Sequence, residues 1–378
     1  MRVLLQGRSA RSIETTPGGD QVQIDQTAAA LRDMYGVEAD TSSDLAPDLG
    51  VYDLVHLFGL VRPQEVWVQT RNAQRQVKPI VLSTVYCDMW EFDRRGRTGP
   101  VGWFARHTNR DCVEAAKAIG RGVVSREWSS GSTALAFRGF RSMQRDIVAA
   151  TAVFLPNSQS EWRRLLTDLR VRASAPMVVV PNGIDVDDLR TRSAACVPQR
   201  LHQYSDCVLC VARIEGRKNQ LSLIRALSDL PLTLVIAGRP AANQARYVRA
   251  VHEAAAHARV ARVHVIGEIS HADKVALMRL ARVHALPSWM ETTGLSSLEA
   301  AFCGCNLVVS PNGDTRDYFD GHAEFCDPAS EDSIRAATLR AMRRPRDDRF
   351  AGEIADRFTW REAARWTLEG YRLALGGR

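Results

Sequence analysis

The second half of the chain repeats one pattern five times: a short, continuously apolar run, then a segment with apolar residues at helical spacing. The apolar runs occupy positions 207–212, 232–237, 263–267, 283–286 and 306–310. Uninterrupted rather than alternating hydrophobicity is typical of strands that are buried on both faces. The pattern therefore predicts an α/β domain, a doubly wound parallel sheet with helices on both sides.

The first half shows the same alternation, opening with a strand at 2–6 and a loop that ends in Gly18 and Gly19. Because 378 residues are about twice a typical domain, we expect two domains. Two doubly wound units place their binding crevices at the carboxyl ends of their strands, and we expect these to face each other across a cleft. The predicted division is a Rossmann-like domain at 1–180, a linker at 181–204, a second Rossmann-like domain at 205–355, and a closing helix at 356–378 that packs back toward the amino-terminal domain.

Most of the net charge of +7 comes from the region 91–145, which holds eleven Arg or Lys against five acidic residues. Within the segment 94–145 the cations are interleaved with aromatic residues, among them Trp103, Phe104 and Phe137. Such a segment suits an anionic membrane surface, and the same composition fits a solvated loop with a few core aromatics. We expect peripheral membrane contact and no nucleic-acid partner.

The eight cysteines are scattered, and no signal peptide or long apolar run opens the sequence. Cys207 and Cys210 have C-x-x-C spacing, but they lie inside an apolar run and no second pair completes a zinc site. We predict two buried strand residues, no metal site and a cytoplasmic location.

Two segments carry candidate chemistry, and each follows a predicted strand and leads into a helix. The first contains Glu291, Gly294, Leu295 and Glu299, with the helix beginning near Gly294. The amino terminus of a helix favours phosphate, and Glu299, one turn into the helix, can accept hydrogen bonds from a vicinal diol. Glu291, before the helix, would face a reacting sugar.

The second segment places Arg213 and Lys218 after the strand at 207–212. Two fixed cations beside a departing diphosphate neutralise its developing charge, as a divalent metal would. Read alone, a basic turn is more often solvated, and isolated glutamates at a helix start are often explained by the helix dipole. The two segments together favour a shared site.

The spacings R-x4-K (Arg213, Lys218) and E-x7-E (Glu291, Glu299) resemble the donor-site signatures of the retaining family 4 glycosyltransferases of the GT-B fold. Gly18 and Gly19 are similar to the glycine-rich loop of that family, and 181–185 to its interdomain link. The resemblance implies that Arg213 and Lys218 hold the donor diphosphate and Glu299 the ribose, while Glu291 and the backbone near Gly294 hold the sugar. It also implies that the domain at 1–180 binds the acceptor and that the domain at 205–355 binds the nucleotide sugar.

The resemblance further implies transfer with net retention, from a UDP- or GDP-sugar to a saccharide or lipid-linked acceptor, without a cofactor or divalent metal. Cell-envelope polysaccharide, lipopolysaccharide or O-antigen synthesis would be the process. A catalytically inactive scaffold or partner subunit is the alternative. A dinucleotide-dependent oxidoreductase is not favoured, because the glycine pattern G-x-G-x-x-G is missing after the first strand.

Two features depart from the family pattern, and one further motif matches a different class of glycosyltransferase. The family histidine of the amino-terminal domain is not found in the stretch 83–90, where Tyr86 or Asp88 could take its role, and His56 is a further candidate sugar contact or a structural residue. Thr293 stands where the family usually has Phe, which would alter sugar selection. Asp185 and Asp187 match a D-x-D metal motif but lie in the predicted linker, so we expect no metal there.

Overall fold

The computed structural model describes residues 1–9, 19–97, 99–124, 130–172, 174–346 and 349–376. The chain forms two compact units. Unit 1 comprises Met1–Cys87, Trp103–Gly183 and Trp360–Arg378, and unit 2 comprises Asp88–Gly102 and Ile184–Thr359. Both units alternate strands and helices, as the sequence predicts.

Unit 1 contains a parallel sheet with the strand order β2-β1-β3-β4-β5 among the described residues. Its strands are β1 (Arg2–Gln6), β2 (Glu38–Ser42), β3 (Leu54–Phe58), β4 (Ile80–Ser83) and β5 (Val153–Phe154). Its helices are α1 (Gly19–Tyr35), α2 (Pro63–Arg75), α4 (Arg110–Val124), α5 (Ser130–Arg138), α6 (Phe140–Ala150), α7 (Gln159–Leu169) and the carboxyl-terminal α16 (Trp360–Ala374). Helix α3 (Gly99–His107) begins in unit 2 and ends in unit 1.

The strands β3 and β4 are buried along their whole length because helices cover both faces of the sheet. Helix α16 packs in unit 1, where Gly370 lies so close to Leu155 that an added Cβ would come within 2.6 Å of its side chain. The structure thus places most of the region predicted as a closing helix in the amino-terminal unit.

Unit 2 contains a parallel sheet with the strand order β11-β10-β9-β6-β7-β8 among the described residues. Its strands are β6 (Val208–Val211), β7 (Thr233–Ala237), β8 (Arg262–Gly267), β9 (Val283–Leu286), β10 (Asn306–Val309) and β11 (Ala323–Phe325). Its helices are α8 (Val186–Ala194), α9 (Gln220–Leu227), α10 (Ala245–Ala256), α11 (His271–Leu280), α12 (Leu295–Phe302), α13 (Thr315–Phe319), α14 (Glu331–Arg343) and α15 (Arg349–Arg357).

Successive residues of β6 belong to two hydrophobic cores, one on each face of the sheet. Leu209 packs in one core, whereas Val208 and Cys210 pack in the other. Cys207 and Cys210 are fully buried, and burial raises the pKa of each thiol to about 12. The predicted burial of both cysteines is confirmed, and Cys210 lies in β6 whereas Cys207 directly precedes it.

The structure corrects two boundaries. Much of the predicted linker 181–204 folds within unit 2, because Val186 and Leu189 of α8 are buried in its core. The segment Asp88–Gly102, predicted to lie in the amino-terminal domain, also belongs to unit 2, where its Phe92 is buried. None of the helices in the described ranges has the length and hydropathy needed to cross a bilayer.

Candidate active site

The loop after β6 is a tight turn that presents cations at the carboxyl edge of the unit 2 sheet. A 3-10 turn spans Gly216–Lys218, and Asn219 follows in the left-handed conformation, with φ of 62°, at the start of α9. The side-chain amide of Asn219 donates to the carbonyls of Pro287 at 3.2 Å and Pro328 at 2.8 Å. The first bond attaches the turn to the loop after β9, and the second attaches it to the segment after β11.

The loop after β9 is fixed in turn by the loop after β10. The peptide nitrogen of Glu291 donates to the carbonyl of Asn312 at 3.2 Å, and the nitrogen of Asp314 donates to the carbonyl of Glu291 at 3.0 Å. A Cβ on Gly313, which has φ of 98°, would lie only 1.9 Å from that carbonyl oxygen. Glycine is therefore required where the two backbones approach.

Lys218 and Glu291 form a buried ion pair between these two loops. The Lys218 ammonium donates to Glu291 Oε1 at 2.5 Å, and Arg217 Nη1 lies 3.5 Å from the same oxygen. Arg217 also donates to the carbonyl of Met290 at 2.8 Å. The predicted residues Lys218 and Glu291, which are 73 positions apart in sequence, are thus brought into direct contact.

The charges around Glu291 decide its protonation state. Burial by itself would raise the pKa of this carboxyl, but the charges of Lys218 and Arg217 and the hydrogen bond from Lys218 lower that pKa to about 2. Burial and Arg217 lower the pKa of Lys218, and Glu291 opposes them. Glu291 is therefore an anion at neutral pH, and the cations Lys218 and Arg217 lie beside its carboxylate.

Arg213 lies at the entrance to the same turn. Its guanidinium is 3.1 Å from Glu215 Oε2, and Arg217 Nη2 donates to Glu215 Oε1, also at 3.1 Å. The side chain of Arg213 is 28% exposed, more than that of Lys218 at 13%. Glu215 therefore orders two arginines on the outer side of the Lys218–Glu291 pair.

Helix α12 begins beside this pair. Gly294, with φ of 80°, is its first flanking residue, and no side chain caps the terminus. Leu295 is the first helical residue, so the positive end of the helix dipole is directed at the loop after β9. Thr293 is buried, and its hydroxyl lies 3.4 Å from the hydroxyl of Tyr318. The hydrogen-bond donors at this helix terminus are therefore backbone N–H groups near Gly294.

The carboxylate of Glu299, on the second turn of α12, is held by a residue of another helix. Lys274 of α11 donates to both Glu299 oxygens at 2.8 Å. The two side chains are 20% and 18% exposed. Unit 2 thus contains all four residues of the R-x4-K and E-x7-E spacings, on the loops and the helix that follow β6 and β9.

A buried histidine connects β6 to the start of α12. The peptide nitrogen of Val211 donates to His284 Nε2 at 3.3 Å, so the ring carries its proton on Nδ1, 3.4 Å from Ser297 Oγ. Burial, and then the charge of Lys218, lower the pKa of His284 to about 3. The neutral ring ties the helix to the strand without adding charge to the site.

The segment Asp88–Gly102 lies against the loops of this site. Phe92 packs at a ring-centroid distance of 6.3 Å from Trp289, and a Cβ on Gly216 would lie 3.3 Å from the Phe92 ring. The side chain of Asn312 donates to Glu91 Oε2 at 3.1 Å. The segment therefore contacts the loops after β6, β9 and β10, which are neighbours in the sheet.

Most of the other predicted site residues belong to unit 1. Gly18 lies outside the described residues, and Gly19 is the first residue of α1. His56 is buried in β3, where Nδ1 is 2.8 Å from the Tyr371 hydroxyl and Nε2 is 2.9 Å from Ser83 Oγ. Burial lowers the pKa of His56 to about 3. This environment favours the structural interpretation of His56 over a sugar contact.

Tyr86 and Asp88 occupy different units. Tyr86 is buried in unit 1, and its hydroxyl donates to Asp168 at 3.1 Å. Asp88, in unit 2, accepts from the peptide nitrogen of Trp90 at 2.8 Å. Tyr86 therefore has a structural environment, and Asp88 lies at the start of the segment that contacts the site loops.

The D-x-D motif has a local explanation. Asp185 accepts a hydrogen bond from the peptide nitrogen of Asp188 at 2.9 Å and caps α8, and the Asp187 side chain is 92% exposed. Across the described ranges, no group of three or more His, Cys, Asp or Glu residues has a geometry that could hold a metal ion.

Sequence analysis missed Arg217, Glu215 and Lys274. The Arg-Lys pair at 217–218 gave a signal for the first of these, since both cations lie on the same short turn. No local signal identified Lys274, because its contact with Glu299 depends on how α11 packs beside α12.

Comparison with known proteins finds a family model that matches part of the chain. The model of the family described as glycosyl transferases group 1 matches residues 199–358. Two curated relatives are the D-inositol 3-phosphate glycosyltransferases of Mycobacterium bovis and Mycobacterium tuberculosis, each 27% identical to this chain over 311 residues. Each alignment covers 74% of this chain and 60% of the relative, so the chain spans about 60% of the length of these curated relatives.

Solved structures resemble the whole chain. Anabaena HepE in complex with UDP and glucose is 16% identical, with a TM-score of 0.63 and 98% of each chain covered. Sucrose-phosphate synthase from Thermosynechococcus elongatus is 14% identical, with a TM-score of 0.68 and 100% of each chain covered. At these identities the likeness concerns the fold, and the predicted GT-B architecture of two Rossmann-like, parallel-sheet units is confirmed.

Proposed function

Because the chain has the GT-B fold and matches the glycosyl transferases group 1 family over residues 199–358, we propose that it is a retaining glycosyltransferase. It moves a sugar from a UDP- or GDP-sugar to a saccharide or lipid-linked acceptor. The observation that carries the proposal is the buried Lys218–Glu291 pair at the ends of β6 and β9, beside the amino terminus of α12.

The donor diphosphate is bound by the basic turn after β6. Lys218, Arg217 and Arg213 supply positive charge, and the amino terminus of α12 supplies backbone donors and the positive end of its dipole. Glu299 accepts hydrogen bonds from the ribose hydroxyls. These groups lie within one folded unit, which supports a nucleotide site that is formed before the acceptor binds.

During transfer, the bond between the anomeric carbon and the diphosphate oxygen breaks, and the acceptor hydroxyl attacks the same face of an oxocarbenium-like carbon. The electron pair of the broken bond stays on the diphosphate, and the acceptor proton leaves with it. Lys218 and the two arginines stabilise the added negative charge, so no divalent metal is required. Glu291, ionised at neutral pH, orients the sugar hydroxyls.

Unit 1 binds the acceptor, and the enzyme acts on the cytoplasmic side of the cell in cell-envelope polysaccharide, lipopolysaccharide or O-antigen synthesis. Peripheral contact with an anionic membrane at 94–145 is supported by exposed aromatic residues. Trp103 is 59% exposed, Phe104 is 38% exposed and Phe137 is 88% exposed. Basic residues near such a surface contribute about 1 kcal/mol each.

Vesicle sedimentation tests the membrane contact. More protein should sediment with vesicles that contain phosphatidylglycerol than with neutral phosphatidylcholine vesicles, and replacing Trp103 and Phe137 by Ser should reduce the difference. Equal recovery from both vesicle types would refute the contact.

Thermal unfolding with UDP, GDP and their sugars in the presence of EDTA tests the donor site. A nucleotide at one hundred times its dissociation constant stabilises the folded state by about 2.7 kcal/mol. A shift with one nucleotide family supports a metal-independent site and identifies the base. No shift with any nucleotide would favour the inactive scaffold or partner subunit, an alternative that the intact ion pair does not support.

A further inference from the structure

Glu299 and Lys274 make a contact that the family signature does not include. Glu299 lies on the second turn of α12 and Lys274 on the first turn of α11, 25 positions earlier in the sequence. The single ammonium group donates to both carboxylate oxygens at equal distances of 2.8 Å. A symmetric contact of this kind fixes both the position and the plane of the carboxylate.

The location of Lys274 is not explained by the stability of its own helix. Helix α11 begins after the capping residue Ser270, and the peptide nitrogen of Lys274 makes its bond to the carbonyl of Ser270 at 2.9 Å. A cation in the first turn of a helix lies near the positive end of the helix dipole, which is unfavourable. The ion pair with Glu299 offsets the unfavourable interaction between the Lys274 charge and the helix dipole.

The contact is also enclosed, unlike an ordinary surface ion pair. The Lys274 and Glu299 side chains are 20% and 18% exposed, whereas the pair Arg316–Asp320 is 56% and 76% exposed. An exposed pair contributes little because two flexible side chains must be held in one geometry. Here the surrounding helices restrict both side chains.

The carboxylate keeps capacity for a ligand. An ionised carboxylate has two oxygens with about four lone-pair positions, and the ammonium group uses one on each oxygen. One position on each oxygen remains for a hydroxyl donor. The remaining positions match the two hydroxyls of a ribose, which are vicinal.

We propose that Lys274 is a positioning residue for nucleotide recognition: it holds the Glu299 carboxylate in the orientation that accepts hydrogen bonds from the ribose hydroxyls. The proposal rests on the proposed function, because it takes the ligand of Glu299 to be a ribose. Lys274 acts through Glu299 and does not itself contact the ribose.

Calorimetric titration of the full-length protein with UDP, 2′-deoxy-UDP, GDP and 2′-deoxy-GDP tests this role. The readout is the ratio of the dissociation constants of the deoxy and ribo forms. A hydroxyl bonded to a positioned carboxylate predicts a wild-type ratio of about tenfold or more. Lys274→Met keeps the apolar stem without the charge, and its ratio should fall to about threefold or less. Loss of the positive charge weakens both forms equally, so the ratio isolates the effect on the hydroxyl.

Three further variants sharpen the result. Lys274→Arg retains a cation that donates to both oxygens and should keep the wild-type ratio. Arg200→Met removes a cation that pairs with the adjacent Asp273 without contacting Glu299, and should also keep it. Adding Glu299→Gln to Lys274→Met should lower the ratio no further than either change alone.

The outcomes are distinguishable. If the wild type binds none of the nucleotides, the proposed function fails and the inference with it. If the wild type discriminates but Lys274→Met keeps the same ratio, Lys274 has no positioning role. If Lys274→Met binds ribonucleotides more tightly, the lysine occupies the place of the hydroxyls and the proposal is wrong. Circular dichroism verifies folding, and Lys274→Gln replaces the Met variant if that variant does not fold.

Discussion

At the residue scale, the buried ion pair of Lys218 and Glu291 contributes more to the charge of the candidate site than to the stability of the fold. Both side chains lose water, so the pair as a whole contributes little net stability, while removal of one partner leaves an uncompensated charge. Two cations around one carboxylate leave net positive charge on the turn. This net positive charge would stabilise the negative charge of a departing diphosphate.

We therefore expect Lys218→Ala to lower turnover by about a hundredfold, because it removes a few kcal/mol of stabilisation from the leaving group. The same change should lower the free energy of unfolding by about 3 kcal/mol through the unpaired Glu291. Steady-state kinetics and denaturant titration measure the two effects.

The double variant Lys218→Ala/Glu291→Ala separates them. It should regain much of the lost stability while turnover stays low. Arg225→Ala, a change at a 58% exposed cation of the neighbouring helix α9, is the control and should leave both quantities unchanged. Wild-type turnover in Lys218→Ala would contradict the assignment.

Gly313 gives a second prediction at this scale. Gly313→Ala places a Cβ 1.9 Å from the Glu291 carbonyl and also strains a positive φ. Gly321→Ala strains a similar φ of 79° with open space around it. We expect Gly321→Ala to cost about 1 kcal/mol of unfolding free energy and Gly313→Ala about 1–3 kcal/mol more. If both variants lose the same unfolding free energy, the backbone at Glu291 moves to accommodate the added Cβ and the close approach does not require glycine.

The sequence predicted the residues whose spacing is local and missed those whose role depends on packing. Arg213 and Lys218 follow one strand, and Glu291 and Glu299 flank one helix start, so a linear pattern contains them. Lys274 meets Glu299 only because two helices pack side by side. Tyr86 shows the converse: the sequence made it a candidate sugar contact, whereas its burial in unit 1 gives it a structural environment.

At the scale of elements, the segment 88–102 is the main departure from the sequence prediction. Its charged and aromatic composition gives no strand or helix period, so pattern analysis could not indicate that Phe92 and Asp93 are buried. The strands β6 to β10 of unit 2 were predictable, because their apolar runs are continuous, whereas the short strand β11 (Ala323–Phe325) was missed. Helix α8 was hidden by its polar composition, with Val186 and Leu189 as its buried contacts.

Gly96 tests whether the segment supports the site. A Cβ at this position would lie 2.5 Å from the Trp289 ring and 2.7 Å from the Phe92 ring. Trp289 donates its peptide nitrogen to the carbonyl of Arg217 at 2.8 Å, so a displaced Trp289 shifts the basic turn. We expect Gly96→Ala to weaken UDP binding by about tenfold, equivalent to 1.4 kcal/mol, and UMP binding much less.

Calorimetry with UDP and UMP provides the measurement. Gly352→Ala in helix α15, where an added Cβ meets nothing within 4 Å, is the matched control and should bind both nucleotides as the wild type does. An unchanged ratio of UDP to UMP affinity in Gly96→Ala would mean that the segment does not position the turn.

At the scale of the whole molecule, burial keeps a histidine neutral in each of the two units. His56 in unit 1 and His284 in unit 2 both have a pKa of about 3 in the folded state, against 6.5 in the unfolded chain. Between these values the unfolded chain binds more protons, so the free energy of unfolding falls as the pH falls. Glu291, with a folded pKa of about 2 against 4.5, adds to the loss below pH 4.5.

Each histidine should contribute a slope of about 1.4 kcal/mol per pH unit below pH 6.5. His284→Gln and His56→Gln should each remove one such slope between pH 6 and 5, whatever their effect on stability at pH 7. Denaturant titration across this range checks the slope, with the exposed His257→Gln as control. A slope equal to that of the wild type in both variants would contradict buried neutral rings.

The general organisation of the molecule was predictable because continuous apolar runs and their spacing imply two parallel sheets. The path of the chain between the units was not predictable, because it depends on which sheet the segment 88–102 packs against. By the division of the described residues, the chain passes between the units four times, at 87/88, 102/103, 183/184 and 359/360.

This path constrains the exchange of modules between related enzymes. A chimera joined only near residue 183 would combine the carboxyl-terminal unit of one parent with the 88–102 segment of the other, and Trp289 would meet a foreign Phe92 and Gly96. A chimera with an intact unit 2 from one parent must therefore carry both 88–102 and 184–359 of that parent. The coding sequence of unit 2 is thus discontinuous in the gene.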